Sequence, residues 1–169
     1  ISDCLVGSEM CIRDSITREK AYHGSTYLSA SVTGKERDKT AMDIKREGIH
    51  FLKAPCHFYY PEFDNEDDFC DFLINELEEK IIEIGPENIM AFIAEPILAS
   101  GGVIVPPKNY NYRCWEVVKR YNIIYIADEV VTAFGRLGYW FASEHVFGII
   151  PDIIIFAKGI TSGYIPMGC

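Results

Sequence analysis

Two charged side chains stand where chemistry is expected. Asp128 closes the apolar run Ile123-Ile124-Tyr125-Ile126-Ala127, and Lys158 closes Ile153-Ile154-Ile155-Phe156-Ala157. Each run has the length and composition of a buried strand, and each ends in a single charge followed by a turn or loop. In an open parallel sheet, ligands bind outside the carboxyl ends of the strands. An acid and an amine delivered to that edge can hold the two ends of one small charged molecule.

Three chemistries compete for the pair. A strand ending in Asp128-Glu129 has the form of a Walker-type magnesium site. Its phosphate-cradling partner GxxxxGK[ST] is absent, because Gly34-Lys35 is followed by Glu36 and lacks the upstream glycine. An ion pair kept for stability alone gains little once desolvation is counted. The third chemistry is that of pyridoxal 5′-phosphate: a lysine forms a Schiff base with an aldehyde, and a carboxylate pairs with a protonated pyridine nitrogen. Opposite charges in contact attract by roughly 4 kcal/mol at an effective dielectric near 20, enough to keep that nitrogen protonated. The 30-residue separation suits one strand–crossover–strand unit, which places the groups on opposite sides of one ring.

The intervening sequence supplies the elements to position them. A strand is expected from Ile16 to Lys20, a helix near Tyr27–Val32, and a strand over Ile49–Lys53. Asn65 or Asp64 caps a helix over about Glu66–Ile84, with acids in its first turn and Gly85-Pro86 ending it. Ile89–Ala94 reads as a buried strand ending at Glu95-Pro96. Asn109–Tyr121 reads as a helix with an apolar face through Tyr112, Trp115, Val118 and Tyr121. Helices alternating with apolar strands predict an α/β layered sheet, mostly parallel, with helices on both faces. No repeat or linker divides it.

Composition narrows the partners. The chain has 169 residues, 25 acidic against 16 basic, for a net charge of −9. That balance argues against nucleic acid and against an anionic membrane surface, and no apolar run is long enough to span a bilayer. The six cysteines show neither CxxC pairs nor metal-ligand spacing, so no metal site is expected and the thiols point to a reducing cytoplasm. Residues 1–15 (ISDCLVGSEMCIRDS) carry no structural periodicity and resemble translated sequencing adapter. They are expected to be a non-native leader.

Four segments carry a resemblance: YHGST at 22–26, AEPILASGGVIVPP at 94–107, IADEVVTAFGRLGYWFA at 126–142 and PDIIIFAKGITSGYIPMG at 151–168. In combination they resemble the class III aminotransferases of fold-type I, closest to omega-amino acid:pyruvate transaminases. The resemblance implies that residues 16–169 are part of the large pyridoxal-phosphate-binding domain. It also implies a homodimer, an amine donor, and a 2-oxo acid acceptor such as pyruvate. Lys158 would carry the cofactor as an internal aldimine and shuttle the proton, and Asp128 would pair with the pyridine nitrogen. Val130 would pack one ring face, Tyr22 the other, with His23 and Gly24 along the same wall. Glu95 would support the site, Arg136 would hold its own turn, and Trp140 and Phe141 would be core. Other class III chemistry, an aminomutase or a decarboxylase, shares the lysine and aspartate, and an inert fragment is a further reading.

Departures from the family matter too. Ornithine- and 4-aminobutyrate-type members tend to carry a glutamate five residues after the Glu-Pro glutamate. That position is Ser100 here, which leans toward the pyruvate type. The family's phosphate-binding Gly-Ser loop lies a helix and a strand upstream of YHG. Ser8 is only 14 residues before Tyr22, too close to be that loop. The phosphate loop, the substrate arginine, the rest of the large domain and the small C-terminal domain are expected outside this chain.

Overall fold

The computed structural model describes residues 13–39, 43–45 and 47–169. Five strands and four α-helices run β1 (Asp14–Arg18), α1 (Tyr27–Val32), β2 (Ile49–Leu52), α2 (Glu66–Ile84), β3 (Ile89–Ala94), α3 (Tyr110–Arg120), β4 (Ile124–Asp128), α4 (Ala142–Phe147) and β5 (Ile153–Ile155) among the described residues. The strands form one sheet in the order β2-β1-β3-β4-β5, and every pairing is parallel. Of the expected leader, residues 1–12 lie outside the described residues, Gly7-Ser8-Glu9 with them. Asp14 and Ser15 form the start of β1.

The order explains where a site can form. From β1 the chain moves outward to β2, then returns to lay β3 on the other side of β1. That reversal makes β1/β3 a topological switch point, with a crevice outside the carboxyl ends of the two strands. From β3 to β5 each strand adds beside the last. Asp128 at the end of β4 therefore lies one strand away from the crevice, in register with Ile155 of β5.

Side chains alternate across the sheet. Ile16 enters the larger core with Phe92, Tyr125 and the buried faces of α2 and α3. Thr17, on the opposite face, donates its hydroxyl to Val32 O at 2.9 Å and so meets α1. Helices thus cover both faces. In α2, Asn65 Oδ1 accepts from Asp68 N at 2.9 Å, and Gly85 at φ 89 ends the helix with its N–H on Ile81 O. Its buried stripe is Phe69, Cys70, Leu73, Ile74, Leu77 and Ile81.

The buried face of α3 differs from the expected one. It runs through Tyr110, Cys114, Val117 and Val118, whereas Tyr112 is 38% exposed and Trp115 and Tyr121 pack only at the margin. Cys114 is buried in this face as a small apolar side chain, so the large aromatics misdirected the reading of the face. Val103–Val105 makes no strand. Ile104 forms a single antiparallel bridge with Leu98, closing the Ser100-Gly101-Gly102 turn. Gly34 is required by proximity: a Cβ there would lie 2.1 Å from Arg18 O, so the chain after α1 is pressed against the end of β1.

Candidate active site

Tyr22 and His23 leave the end of β1, Glu95 follows β3, and Asp128 ends β4. These residues line one cavity of about 180 Å³ together with Gly24, Ser100, Val130, Val131 and Lys158. Every site residue expected from the sequence thus reaches the same place. The route of one differs: β5 ends at Ile155, and Lys158 lies three residues beyond it, opening a 3-10 turn over Lys158–Thr161. Phe156 is not in the strand; it pairs instead with Cys169 through two backbone hydrogen bonds of 2.8 Å. Lys158 is displayed on the loop between them, exposed, at φ 41. Its ammonium makes no hydrogen bond or ion pair with any described residue.

Asp128 is the buried acid of the site. Its side chain is 5% exposed and that of His23 only 1%. His23 Nδ1 lies 2.7 Å from Asp128 Oδ2, and Val130 N donates to Oδ1 at 3.1 Å. The other imidazole nitrogen, Nε2, is 3.3 Å from Thr17 Oγ1. The Thr17 hydroxyl spends its one hydrogen on Val32 O, so it accepts from Nε2. An ionised carboxylate also only accepts. The wall residue expected at His23 is therefore a direct partner of Asp128, and Thr17 is a supporting residue that sequence reasoning missed.

Glu95 is a clasp. One carboxylate oxygen accepts from Tyr22 N at 2.9 Å and the other from Ala99 N at 3.1 Å, tying the loops after β1 and β3 together across the switch point. Burial pushes its carboxyl above the ordinary range. The Tyr22 N–H and the charges of His23 and Arg18 oppose that shift. Arg18, fully buried on the opposite face, donates to Glu95 O at 2.5 Å and lies over the Tyr110 ring.

Glu129, noted in the sequence only as half of a magnesium motif, has a different task. It is fully buried, and four donors converge on its two oxygens: Thr132 Oγ1, Ala142 N, Ser143 N and Ser143 Oγ. With both oxygens saturated it has no lone pair to offer an ion, and among the described residues no cluster of metal-ligand side chains occurs. Its donors lie up to 14 residues downstream, at the start of α4, so nothing local in the sequence marked the role.

The loop between 129 and 142 corrects two expectations. Trp140 is 75% exposed and is not core, while Phe141 packs with Phe134 and Phe156. The turn at Arg136 is closed by backbone bonds, Phe134 N to Trp140 O and Gly135 N to Tyr139 O, and the Arg136 guanidinium contributes none. Phe134 supports the lysine loop, since a Cβ on Gly159 would lie 2.8 Å from Phe134 Cβ.

A parallel α/β sheet thus carries a buried acid and an exposed lysine at its carboxyl edge. The chain belongs to the class III aminotransferases: the profile of the family Aminotransferase class-III matches residues 12–169. It is 44% identical over 155 residues to gamma-aminobutyrate transaminase 1, mitochondrial, of Oryza sativa subsp. indica, covering 90% of this chain and 30% of that protein. It is equally 44% identical over 155 residues to putrescine–pyruvate aminotransferase of Pseudomonas aeruginosa, covering 90% of this chain and 33% of that one. The crystal structure of the omega transaminase from Pseudomonas jessenii in complex with PMP superposes with a TM-score of 0.88 at 40% identity, over 95% of this chain and 36% of that one. The chain therefore spans about a third of the length of these relatives. Overall identity does not separate the 4-aminobutyrate-named from the pyruvate-named enzymes. No described helix is long and apolar enough to cross a membrane.

Proposed function

We propose that the full-length protein is a pyridoxal 5′-phosphate-dependent transaminase that moves an amino group from an amine or omega-amino acid to a 2-oxo acid, with pyruvate as acceptor. The observation that carries this reading is the single cavity uniting buried Asp128, Tyr22 and the partner-free Lys158. The residues fit the cofactor: an acid on the cavity floor with its geometry held from two sides, and an amine with nothing else to bind. When bound, pyridoxal 5′-phosphate supplies an aldehyde that condenses with amines and a protonated ring that withdraws electrons. Asp128 would hold the proton on the ring nitrogen, its carboxylate kept aimed by His23 and the Val130 N–H. Tyr22 and Val130 would flank the cofactor ring, Gly24 would leave room along the wall, and Glu95 fixes the backbone of Tyr22. Lys158 Nζ would hold the cofactor, and its amine, once free, would serve as the base that moves the substrate's proton.

Residues 16–169 are read as part of the large domain of a cytoplasmic homodimer. The free thiols of Cys56, Cys70, Cys114 and Cys169 support the reducing compartment. Alone, the 169-residue chain is read as inactive, because Ile153 on the edge strand and Tyr164 and Ile165 after it stand exposed. The test is spectroscopic. Full-length protein with added cofactor should gain visible absorbance near about 420 nm, and K158A should abolish it while folding normally. Transfer from an amine to pyruvate should then yield alanine. Wild type without the band overturns the reading; a band without amino transfer redirects it to an aminomutase or a decarboxylase.

A further inference from the structure

Arg18 closes β1 on the α3 side of the sheet, and its side chain is fully buried. Nη2 donates to Glu95 O at 2.5 Å, and the guanidinium lies 5.9 Å from the centroid of the Tyr110 ring. Nε and Nη1 have no acceptor, and no ion pair with a described residue offsets the charge. Burying a cation unpaired is costly, so fold stability is a poor reason to keep one there. The turn after β3 supplies a better reason. Pro96 has no N–H, so the chain leaves the ladder beyond Ala94. Two buried side chains take up the freed carbonyls: Arg18 holds Glu95 O, and Asn111 of α3 donates to Pro96 O at 2.9 Å. On the cavity side the same turn presents the Glu95 carboxylate to Tyr22 N and Ala99 N, both fixed main-chain donors. Protonation would turn one carboxylate oxygen into a hydroxyl, a much weaker acceptor, so the clasp is firm only while Glu95 is ionised. Burial pushes this carboxyl up and Asp128 adds to the rise; the Tyr22 N–H, His23 and Arg18 oppose it. Lys158 faces the same cavity.

We propose that Arg18 is a positioning residue of the active site that acts through Glu95 from the far face of the sheet. Its hydrogen bond fixes the Glu95 main chain, and its unpaired charge steadies the carboxylate that holds Tyr22 at the cavity. The purpose of the clasp rests on the transaminase reading above; the clasp itself does not, and it can be measured without turnover.

The test is hydrogen exchange of the full-length protein from about pH 5 to about pH 8, corrected for the intrinsic rate and read on peptides containing Tyr22 and Ala99. Wild type should lose protection at both sites as the pH falls. In R18M the loss should come about one pH unit higher, and R18K, which keeps the charge, should return it close to the wild-type position. E95Q and R18M/E95Q should both lack the pH dependence, because the titrating group is gone. In transamination the acid limb of kcat/KM should move by the same step in R18M and return in R18K. Four results overturn the proposal: no acid loss in wild type, the same midpoint in R18M as in wild type, a midpoint moved as far in R18K as in R18M, or a limb that persists in E95Q. If R18M does not fold, R18K and E95Q decide by the same criteria. If wild type turns over no amine donor, the transaminase reading fails on its own, and the exchange midpoints still decide Arg18.

Discussion

Replacing Glu129 with glutamine tests whether one buried carboxylate holds the loop that supports both Val130 and Lys158. In the native arrangement Oε1 accepts from Ser143 N at 2.8 Å and from Ser143 Oγ, while Oε2 accepts from Ala142 N at 2.7 Å and from Thr132 Oγ1 at 3.0 Å. Glutamine keeps one oxygen and presents an NH2 group in place of the other. The two hydroxyls can rotate to accept from that NH2, but a backbone N–H cannot. Either amide orientation therefore leaves one of the two main-chain donors facing another donor. A buried donor left unsatisfied costs about 1–3 kcal/mol, which is about a 5- to 150-fold change in an opening equilibrium. Hydrogen exchange followed by mass spectrometry on the full-length protein should show peptides spanning residues 140–145 exchanging faster by that factor in E129Q. Exchange in β3 should stay at its wild-type rate. Transamination should slow as well, since the loop carries Phe134, on which Gly159 rests. Unchanged protection at residues 142 and 143 would refute the clamp. Equal loss of protection in β3 would show a global effect in place of a local one.

Two further outcomes follow from perturbed groups. Burial pushes the Cys114 thiol up to about 12, so its thiolate is scarce at pH 8; an alkylating reagent should leave Cys114 unmodified in native protein and label it after denaturation, read by peptide mass. Burial alone would raise Asp152, but bonds from Lys119 Nζ and Tyr125 N carry its carboxyl below the ordinary range. A lowered native value stabilises the fold above the unfolded value and loses that contribution as pH falls through the native one. D152N should therefore unfold at lower urea than wild type at pH 7, with the gap closing in acid.

The strand and helix framework was legible because its periodicity is strong. Helix α2 was expected over Glu66–Ile84 and occupies those residues, with the Asn65 cap in place. That the candidate residues share one cavity was legible for a different reason: a charge ending an apolar run has few structural explanations, and two such runs deliver their charges to one sheet edge. What stayed hidden depends on distance in the chain. The contact of His23 with Asp128 joins residues 105 apart, and the Glu95 clasp on Tyr22 joins residues 73 apart. Sequence reasoning placed these residues in one site but could not say which of them touch. The face of α3 was misread because aromatic size was taken for burial, and Trp140 was misplaced in the same way.

The displacement of Lys158 from the strand changes how the acid–amine pair is to be understood. A strand-end lysine would inherit its position from the sheet, as Asp128 does. Lys158 instead sits at φ 41, a left-handed conformation that non-glycine residues adopt at a cost of about 1–3 kcal/mol. Such a conformation persists only where the surroundings over-determine it. They do so here: Glu129 N donates to Ile155 O at 2.8 Å and sets the end of β5, Phe156 is pinned to Cys169, Gly163 N reaches Lys158 O, and Gly159 is pressed on Phe134. The acid is therefore rigid, held by the sheet, His23 and Val130, while the amine rides on a separately braced loop. That division suits a site in which one group keeps its place throughout and the other must first hold a ligand and then release it. Glu129 ties the two halves together, because its backbone bonds the end of β5 while its side chain anchors the loop beneath Lys158.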